Sequence, residues 1–315
     1  MKKSLKLMAA GLTLTLTGIS LFNQYIDKKS TSKNIIKFNN GSYYVGRQGR
    51  IYYTRHGSGS PLLLLHDINA SSSSAEWSRI ERQLTKEHTV YTLDLLGCGH
   101  SDKPEITYTS YLYVQMISDF IRDVIGERTD VIASHRTGSC ILFADAMDQD
   151  LFGKIIIINP HPLYRLKEGQ SLTLKLKHFL LELPVIGTFI YNVIHTRSGI
   201  DHLFEKVYFK NGAAAPADLK DTFYEAAHTA NGKGRFLYAS IFCNYTNMDP
   251  THVISACNKS VTLIGSSGIH NNTADMQAYA ALNPGFKVIP LYGTMLFPQL
   301  ENPGEMLKIL KQELQ

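Results

Sequence analysis

Residues 131–139 read Val131-Ile132-Ala133-Ser134-His135-Arg136-Thr137-Gly138-Ser139, and an apolar segment from Cys140 to Met147 follows them. The β-branched run from Asp130 to Ser134 predicts a short buried strand, and the apolar segment predicts a helix. The polar residues between the two predict a tight turn that joins strand to helix. The character of this turn decides how the rest of the chain is interpreted.

The turn can be compared with the nucleophile elbow, G-x-S-x-G, in which small flanking residues let a strained turn close. The pattern can be placed in two registers. With Ser134 and Gly138 as the flanks, the nucleophile position holds Arg136, which cannot attack a carbonyl. Shifted by one residue, that position holds Thr137, and a threonine nucleophile still needs a base. Both registers remain open on the sequence alone.

Two further stretches carry a resemblance to a known family. Residues 90–104 contain Asp94-Leu95-Leu96-Gly97-Cys98-Gly99-His100-Ser101-Asp102-Lys103-Pro104, which is similar to D-x-x-G-x-G-x-S-x-x-P. Residues 59–67 are similar to a strand followed by a His-Gly oxyanion loop, His66-Asp67, with Asp67 in place of the glycine. The chain after residue 40 therefore resembles the α/β-hydrolase superfamily, in particular its cap-bearing branch of lipases, haloalkane dehalogenases and carbon-carbon bond hydrolases. This resemblance implies an α/β fold whose mostly parallel eight-stranded sheet is flanked by helices.

The resemblance also implies where the remaining catalytic groups should lie. The acid position, three residues beyond Gly265, holds Gly268, and the histidine position, two residues before Pro298, holds Leu296. The carboxylate of Asp67 is a poor substitute in a loop that should present N–H groups to an oxyanion. Because a triad needs a nucleophile, a base and a group that orients the base, we expect a degenerate triad.

Other polar residues are candidates for replacing these groups. If Thr137 is the nucleophile, His270 and Asp275, after the seventh strand, are the candidate base and acid. The oxyanion and pocket region implied by the family layout comprises His66, Asp67, Gly138, Asn159 and His161. We find no metal-ligand spacing, no phosphate-binding glycine loop and no nucleic-acid pattern, and therefore predict no metal, no cofactor and no nucleic-acid partner.

Helical periodicity in residues 163–249 predicts an insertion, which the resemblance identifies as a helical cap over the pocket. Residues 41–162 and 250–315 then form the core. With 315 residues and 44% hydrophobic content, the chain is long enough for one such core and a cap. The four cysteines show no framework spacing and are expected to be packing residues.

Residues 1–27 predict a membrane anchor, because lysines precede a mostly apolar stretch, Leu7 to about Ile26, that is long enough to cross a bilayer as a helix. No small-x-small cleavage site ends this stretch, which favours an uncleaved signal anchor over a signal peptide. Residues 28–40 are expected to form a linker. The short basic N-terminus favours a single-pass protein with its folded domain outside the cytoplasm, and the net charge of +5 suits an anionic membrane surface.

Three functions follow from these patterns. The first is a membrane-anchored α/β-hydrolase-fold protein that has lost its triad and binds an apolar small molecule or a protein partner beneath the cap. The second is an esterase or lipase-like hydrolase that uses Thr137 with a non-standard base. The third is a structural or interaction module whose pocket has closed.

Overall fold

The structure, a computed structural model, describes residues 2–36 and 41–315. Its eight-stranded sheet has the spatial order β1-β2-β4-β3-β5-β6-β7-β8. The strands are β1 Ser42–Gly46, β2 Gly49–Gly57, β3 Ser60–Leu65, β4 His88–Leu93, β5 Thr129–Ser134, β6 Phe152–Ile158, β7 Val261–Ser266 and β8 Phe286–Leu291. β3 to β8 are parallel, whereas β1 and β2 form an antiparallel edge beside β4. The predicted mostly parallel eight-stranded sheet, flanked by helices, is therefore confirmed.

The helices precede, follow and interrupt these strands. They are α1 Lys2–Ser30, α2 Glu81–Leu84, α3 Ser110–Phe120, α4 Arg136–Met147, α5 Leu163–Leu166, α6 Leu172–Glu182, α7 Ile186–Ile194, α8 Arg197–Leu203, α9 Ala217–His228, α10 Gly234–Phe242, α11 Thr251–Ala256, α12 Asn272–Leu282, α13 Pro298–Glu301 and α14 Pro303–Leu314. Short 3-10 helices cover Ser74–Trp77 and Gly212–Ala214, and π-helical turns end α3 and α8 at Ile121–Ile125 and Phe204–Tyr208.

The four isoleucines of β6 explain why the sheet is buried on both sides. Ile155 and Ile157 pack in the hydrophobic cluster on one face, and Ile156 and Ile158 pack in the cluster on the other. Successive side chains of a strand point to opposite faces, so a strand covered on both faces is a continuous apolar run. Burial of each such side chain stabilises the fold by about 1.5–3 kcal/mol. This sheet therefore fixes the positions of the strand ends around the elbow.

The insertion between β6 and α11 consists of the helices α5 to α10. Four of its aromatic side chains pack with Phe297 in an aromatic cluster, which we define as Phe204, Tyr208, Phe209, Phe223 and Phe297. Phe297 belongs to the segment after β8, and its ring centroid lies 4.6 Å from that of Tyr208. The aromatic cluster therefore joins the insertion to the carboxyl end of the last strand.

The first helix, α1, packs against the insertion through its C-terminal part. Asn23 Nδ2 donates to the carbonyl of Val185 at 2.9 Å, and Asn192 Nδ2 donates to Asn23 Oδ1 at 3.1 Å. The rings of Phe22 and Phe189 meet edge to face, 5.4 Å apart. This side of α1 is thus a packed and hydrogen-bonded interface.

The structure changes the predicted N-terminal boundaries. The anchor was expected to end at residue 27 and a linker to follow, but α1 continues to Ser30, and the N–H of Ile35 is hydrogen-bonded to Glu225. Met1 of the predicted anchor and residues 37–40 of the predicted linker lie outside the described residues. Within residues 2–36 and 41–315, no helix is both long and apolar enough to cross a membrane. The polar residues Asn23 and Asp27 interrupt the apolar sequence where α1 packs against the insertion.

Gly138 shows how closely α4 packs on the sheet, and it yields a stability prediction. A Cβ atom at Gly138 would lie 2.3 Å from Ile157 Cγ2. We expect Gly138→Ala to lower the free energy of unfolding by about 1–3 kcal/mol, because overpacking a closed contact forces its neighbours to move. Urea denaturation measures the change.

Two comparisons sharpen this prediction. In the Gly138→Ala, Ile157→Ala double variant the loss should be smaller than the sum of the single losses, since the clash is removed. Gly304→Ala, on α14 with open space around its added Cβ, should change the free energy of unfolding by less than about 1 kcal/mol. If the losses in the free energy of unfolding of the two single variants simply add up in the double variant, the close contact between Gly138 and Ile157 is contradicted.

Candidate functional site

The strained residue of the strand-to-helix turn is His135. It follows the last residue of β5 and precedes α4, and its backbone angles are φ 46° and ψ −111°. Such a conformation is rare for a residue that is not glycine, and it marks the elbow. Both predicted registers are therefore wrong, because Arg136 is the first residue of α4 and Thr137 is the second. The small flanks of the elbow are Ala133 and Thr137.

The ring of His135 is held by two hydrogen bonds. Its Nδ1 lies 2.8 Å from the carbonyl oxygen of Asn159, and its Nε2 lies 3.0 Å from Nδ1 of His161. A carbonyl only accepts, so Nδ1 of His135 carries the proton, and its Nε2 accepts from His161. Burial lowers the pKa of His135. Burial, together with the nearby His135 and the positive charges of Arg136 and Arg165, holds the pKa of His161 well below its usual range. Both rings are therefore neutral near pH 7, and the Nε2 lone pair of His135 is occupied.

The backbone donors near the elbow are bound to carboxyl groups of the chain itself. The N–H of Arg136 donates to Asp67 Oδ1 at 3.2 Å, and the N–H of Asp67 donates to Glu76 Oε2 at 3.1 Å. In hydrolases with a nucleophile elbow, the N–H of the residue after the nucleophile is one donor of the oxyanion hole. Here the carboxylate of Asp67 lies where such an oxyanion would be stabilised. The predicted oxyanion region is thus occupied by internal contacts.

Thr137 and His66 are hydrogen-bonded to each other beside the elbow. Thr137 is fully buried, and its hydroxyl donates to the carbonyl of His66 at 2.7 Å. His66 in turn accepts the N–H of Leu95 at Nε2, and burial lowers its pKa. The candidate base His270 is exposed, and the candidate acid Asp275 lies partly buried on α12, where burial raises its pKa. Within the described ranges no hydrogen bond joins these candidates to Thr137, so the geometry does not support them as a triad.

The two other expected triad positions also make packing contacts. Gly268 donates its N–H to the carbonyl of Thr294 at 3.0 Å, and an added Cβ would lie 2.5 Å from that oxygen. The loop therefore has no room for an acidic side chain at this position. Leu296 packs against the aromatic cluster, and its N–H donates to the carbonyl of Val207 at 3.4 Å.

Asn159 joins three strand ends. Its backbone is left-handed, with φ 48°, and its side chain is buried. Its Oδ1 accepts from the N–H of Ser266 at 2.7 Å and from Asn272 Nδ2 at 2.8 Å, and its Nδ2 donates to the carbonyl of Leu296 at 2.9 Å. The residue therefore links β6, β7 and the segment after β8, and it leaves no side-chain group free for a ligand.

An open cleft remains between the elbow and the insertion. Its volume is about 390 Å³, and residues lining it include Arg136, His161, Arg165, Tyr238, Ile241 and Phe242. Of the predicted pocket residues, His161 lies here, whereas Gly138 is buried against β6. Among the described residues no group of three or more His, Cys, Asp or Glu side chains has the arrangement of a metal site.

Comparison with known proteins identifies the family of this chain. A model of the alpha/beta hydrolase family matches residues 56–309, which is more than half of the chain. The chain belongs to the alpha/beta hydrolase family. The predicted superfamily is thereby confirmed.

Similar curated proteins in this family are named as hydrolases. The chain is 31% identical over 165 residues to epoxide hydrolase 4 of Mus musculus, covering 49% of the chain and 45% of that protein. It is 30% identical over 123 residues to a soluble epoxide hydrolase of Corynebacterium sp. (strain C12), covering 39% and 42%. It is 25% identical over 137 residues to 2-hydroxy-6-oxo-6-(2'-aminophenyl)hexa-2,4-dienoic acid hydrolase of Metapseudomonas resinovorans, covering 43% and 46%. The chain thus spans less than half the length of these relatives.

Solved structures show the same fold over more of the chain. The Cif epoxide hydrolase from Acinetobacter nosocomialis matches with a TM-score of 0.73 and 16% identity, covering 94% of this chain and 96% of that one. A bacterial membrane phospholipase A matches with a TM-score of 0.69 and 17% identity, covering 100% and 98%. At these identities the likeness concerns the fold alone.

Sequence reasoning missed two residues of the site, His135 as the elbow and Glu76 beside Asp67. The strand that the sequence predicts ends at Ser134, and in the structure Ser134 is the last residue of β5, where it pairs with Ile158. The end of the predicted strand was therefore the signal that the next residue forms the elbow. Glu76 offered no comparable signal, because it contacts Asp67 only through the fold of the intervening chain.

Glu76 makes the stability of this site depend on pH. Burial raises the pKa of Glu76 from 4.5 to about 8, so the folded state binds a proton that the unfolded chain releases at lower pH. Its stabilising contribution is complete below pH 4.5 and is lost as the pH rises through 8. Between pH 6.5 and 7.5 we expect the free energy of unfolding to fall by about 1 kcal/mol more in the wild type than in Glu76→Gln.

Urea denaturation at the two pH values measures this difference. The exposed Glu127 provides the matched control, and Glu127→Gln should keep the pH dependence of the wild type. If the free energy of unfolding changes equally with pH in the wild type and in Glu76→Gln, the carboxyl group of Glu76 is ionised in the folded protein.

Proposed function

We propose that this chain is a non-catalytic member of the alpha/beta hydrolase family that binds a ligand in the cleft between its sheet and its helical insertion, and that α1 holds it at a membrane. The observation that carries the first part is the elbow. His135 stands at the strained position with its Nε2 engaged by His161, and the adjacent N–H of Arg136 is bonded to Asp67. Covalent catalysis requires an activated nucleophile and a free donor for the developing oxyanion.

The open cleft favours ligand binding over a closed interaction module. The aromatic cluster fills the space beside Leu296, yet a cleft of about 390 Å³ remains next to Arg136 and His161. Ligand sites of small molecules have volumes of roughly this size, with apolar walls and a few polar groups. The ligand, unlike a substrate, need not contact a nucleophile.

Exposed apolar side chains on α1 support attachment to a membrane. Leu12 and Leu14 are 63% and 74% exposed, in the part of the helix that precedes its contacts with the insertion. The hydroxyl of Thr15 donates to the carbonyl of Gly11 at 3.0 Å, so the helix satisfies this polar group itself. Lipid would cover such leucines at lower free energy than water does. The short basic N-terminus supports a folded domain on the extracytoplasmic side.

Activity assays test the catalytic part of the proposal. We expect the purified full chain to release no product from a p-nitrophenyl ester, an epoxide or a haloalkane above the rate of the same sample after heat denaturation. An organophosphonate probe that labels an ordinary esterase should leave Thr137 unlabelled, since its hydroxyl is buried. Turnover that Thr137→Val or His135→Ala abolishes would overturn the proposal in favour of an enzyme with a non-standard nucleophile.

Fractionation tests the membrane part separately. The full chain should sediment with membranes after a high-salt wash and be released by detergent. A Leu12→Lys, Leu14→Lys variant should shift to the supernatant, because two charges oppose burial in lipid. Ser32→Lys, which adds a charge at an exposed position beyond α1, should remain bound. Wild-type protein in the supernatant before any detergent is added would refute membrane attachment. Protease digestion of intact cells shows on which side of the membrane the folded domain lies.

A further inference from the structure

The cleft beside the elbow is lined by the guanidinium group of Arg136, the first residue of α4. Within the described part of the chain, its guanidinium group has neither an ion pair nor a hydrogen bond, although the backbone N–H of the same residue is bonded to Asp67. Burial lowers the pKa of Arg136, with Asp67 opposing this effect and Arg165 adding to it. A partly buried guanidinium without a partner has a free-energy cost that a bound anion would offset.

A second guanidinium faces the same cleft. Arg165, on α5, pairs with Glu168 at 3.0 Å, and the two side chains are 54% and 41% exposed. Water screens an ion pair between side chains this exposed, so the pair contributes little to stability. Arg165 can therefore exchange this partner for a ligand at little cost. Among the residues that line the cleft, two carry guanidinium groups and one, Glu168, carries a carboxylate. Asp67 attracts the guanidinium group of Arg136 but does not line the cleft, so the lining itself has a net positive charge.

Apolar side chains of one helix also line the cleft. Tyr238, Ile241 and Phe242 belong to α10, and the rings of Tyr238 and Phe242 are stacked with centroids 5.8 Å apart. Phe242 is 46% exposed, so part of its ring is accessible to a ligand in the cleft. The lining of the cleft thus combines two guanidinium groups with aromatic and aliphatic side chains.

From this combination we infer that the cleft binds an amphiphilic anion, whose carboxylate or phosphate lies between Arg136 and Arg165 and whose hydrocarbon part packs on Tyr238, Ile241 and Phe242. The inference rests on the proposed ligand-binding function and names the chemical class of the ligand. Guanidinium groups bind carboxylate and phosphate oxygens through charge-assisted and often bidentate hydrogen bonds. The elbow that holds a nucleophile in other members of the family here carries, one residue further, the group that recognises charge.

Calorimetry with the full chain in lipid nanodiscs tests this inference, with octanoate, octyl phosphate and octanol as probes. We expect saturable binding of an octyl anion and no saturable binding of octanol, with affinity that falls as salt is added. The two anions separate a carboxylate site from a phosphate site. Arg136→Met should weaken anion binding about tenfold or more, and Arg136→Lys should weaken it less. The matched control is Arg122→Met, since Arg122 lies at the end of α3 and pairs with Asp148 outside the cleft.

A second position guards against a misfolded variant. Arg165→Met should also weaken binding, and because Arg165 is exposed its removal should leave the melting temperature unchanged. Anion affinity that is unchanged in both arginine variants, or octanol binding as strong as octanoate binding, would overturn the inference. If no octyl anion binds and no product forms in the activity assays, the anion site is wrong while the non-catalytic assignment stands. Product formation would refute the proposed function whether or not an anion binds.

Discussion

The hydrogen bond from the N–H of Arg136 to the carboxylate of Asp67 is the contact on which the rest of the site depends. It joins the loop after β3 to the start of α4, two segments that approach each other only because β3 and β5 are neighbours in the sheet. A carboxylate that accepts a backbone N–H at a helix N-terminus is stabilised by the helix dipole as well as by the hydrogen bond. The protein thereby uses for its own side chain the electrostatic environment that hydrolases of this fold reserve for a reacting oxygen.

The large features of the fold could be predicted because they follow from burial. Strands covered on both faces are continuous apolar runs, and the isoleucines of β6 and the leucines of β3 show this pattern. The glycine-containing loop after β4 adds a specific signature, which is why the family could be identified before the sheet was known.

The elbow could not be placed correctly from the same information. The choice of Ser134 and Gly138 as small flanks relied on residue size, whereas the structure selects the first residue after β5, whose backbone has a positive φ angle. Thr137 fits as a flank because its hydroxyl bonds to His66, a contact between segments 71 positions apart in sequence. Gly268 is explained by the proximity of Thr294, which the sequence also cannot reveal. Contacts between distant loops, rather than local propensities, thus determine the identity of the site residues.

The packing of α1 against α7 has a mechanical consequence. Asn23 is hydrogen-bonded to Val185, just before α7, and to Asn192, within α7, so these contacts fix the first helix against the insertion. Val185 has φ 66°, a strained value for a β-branched residue, so the surrounding contacts must hold this turn in place. α1 packs on α7, and α7 packs on α10, whose residues line the cleft, so the first helix supports that lining through the insertion.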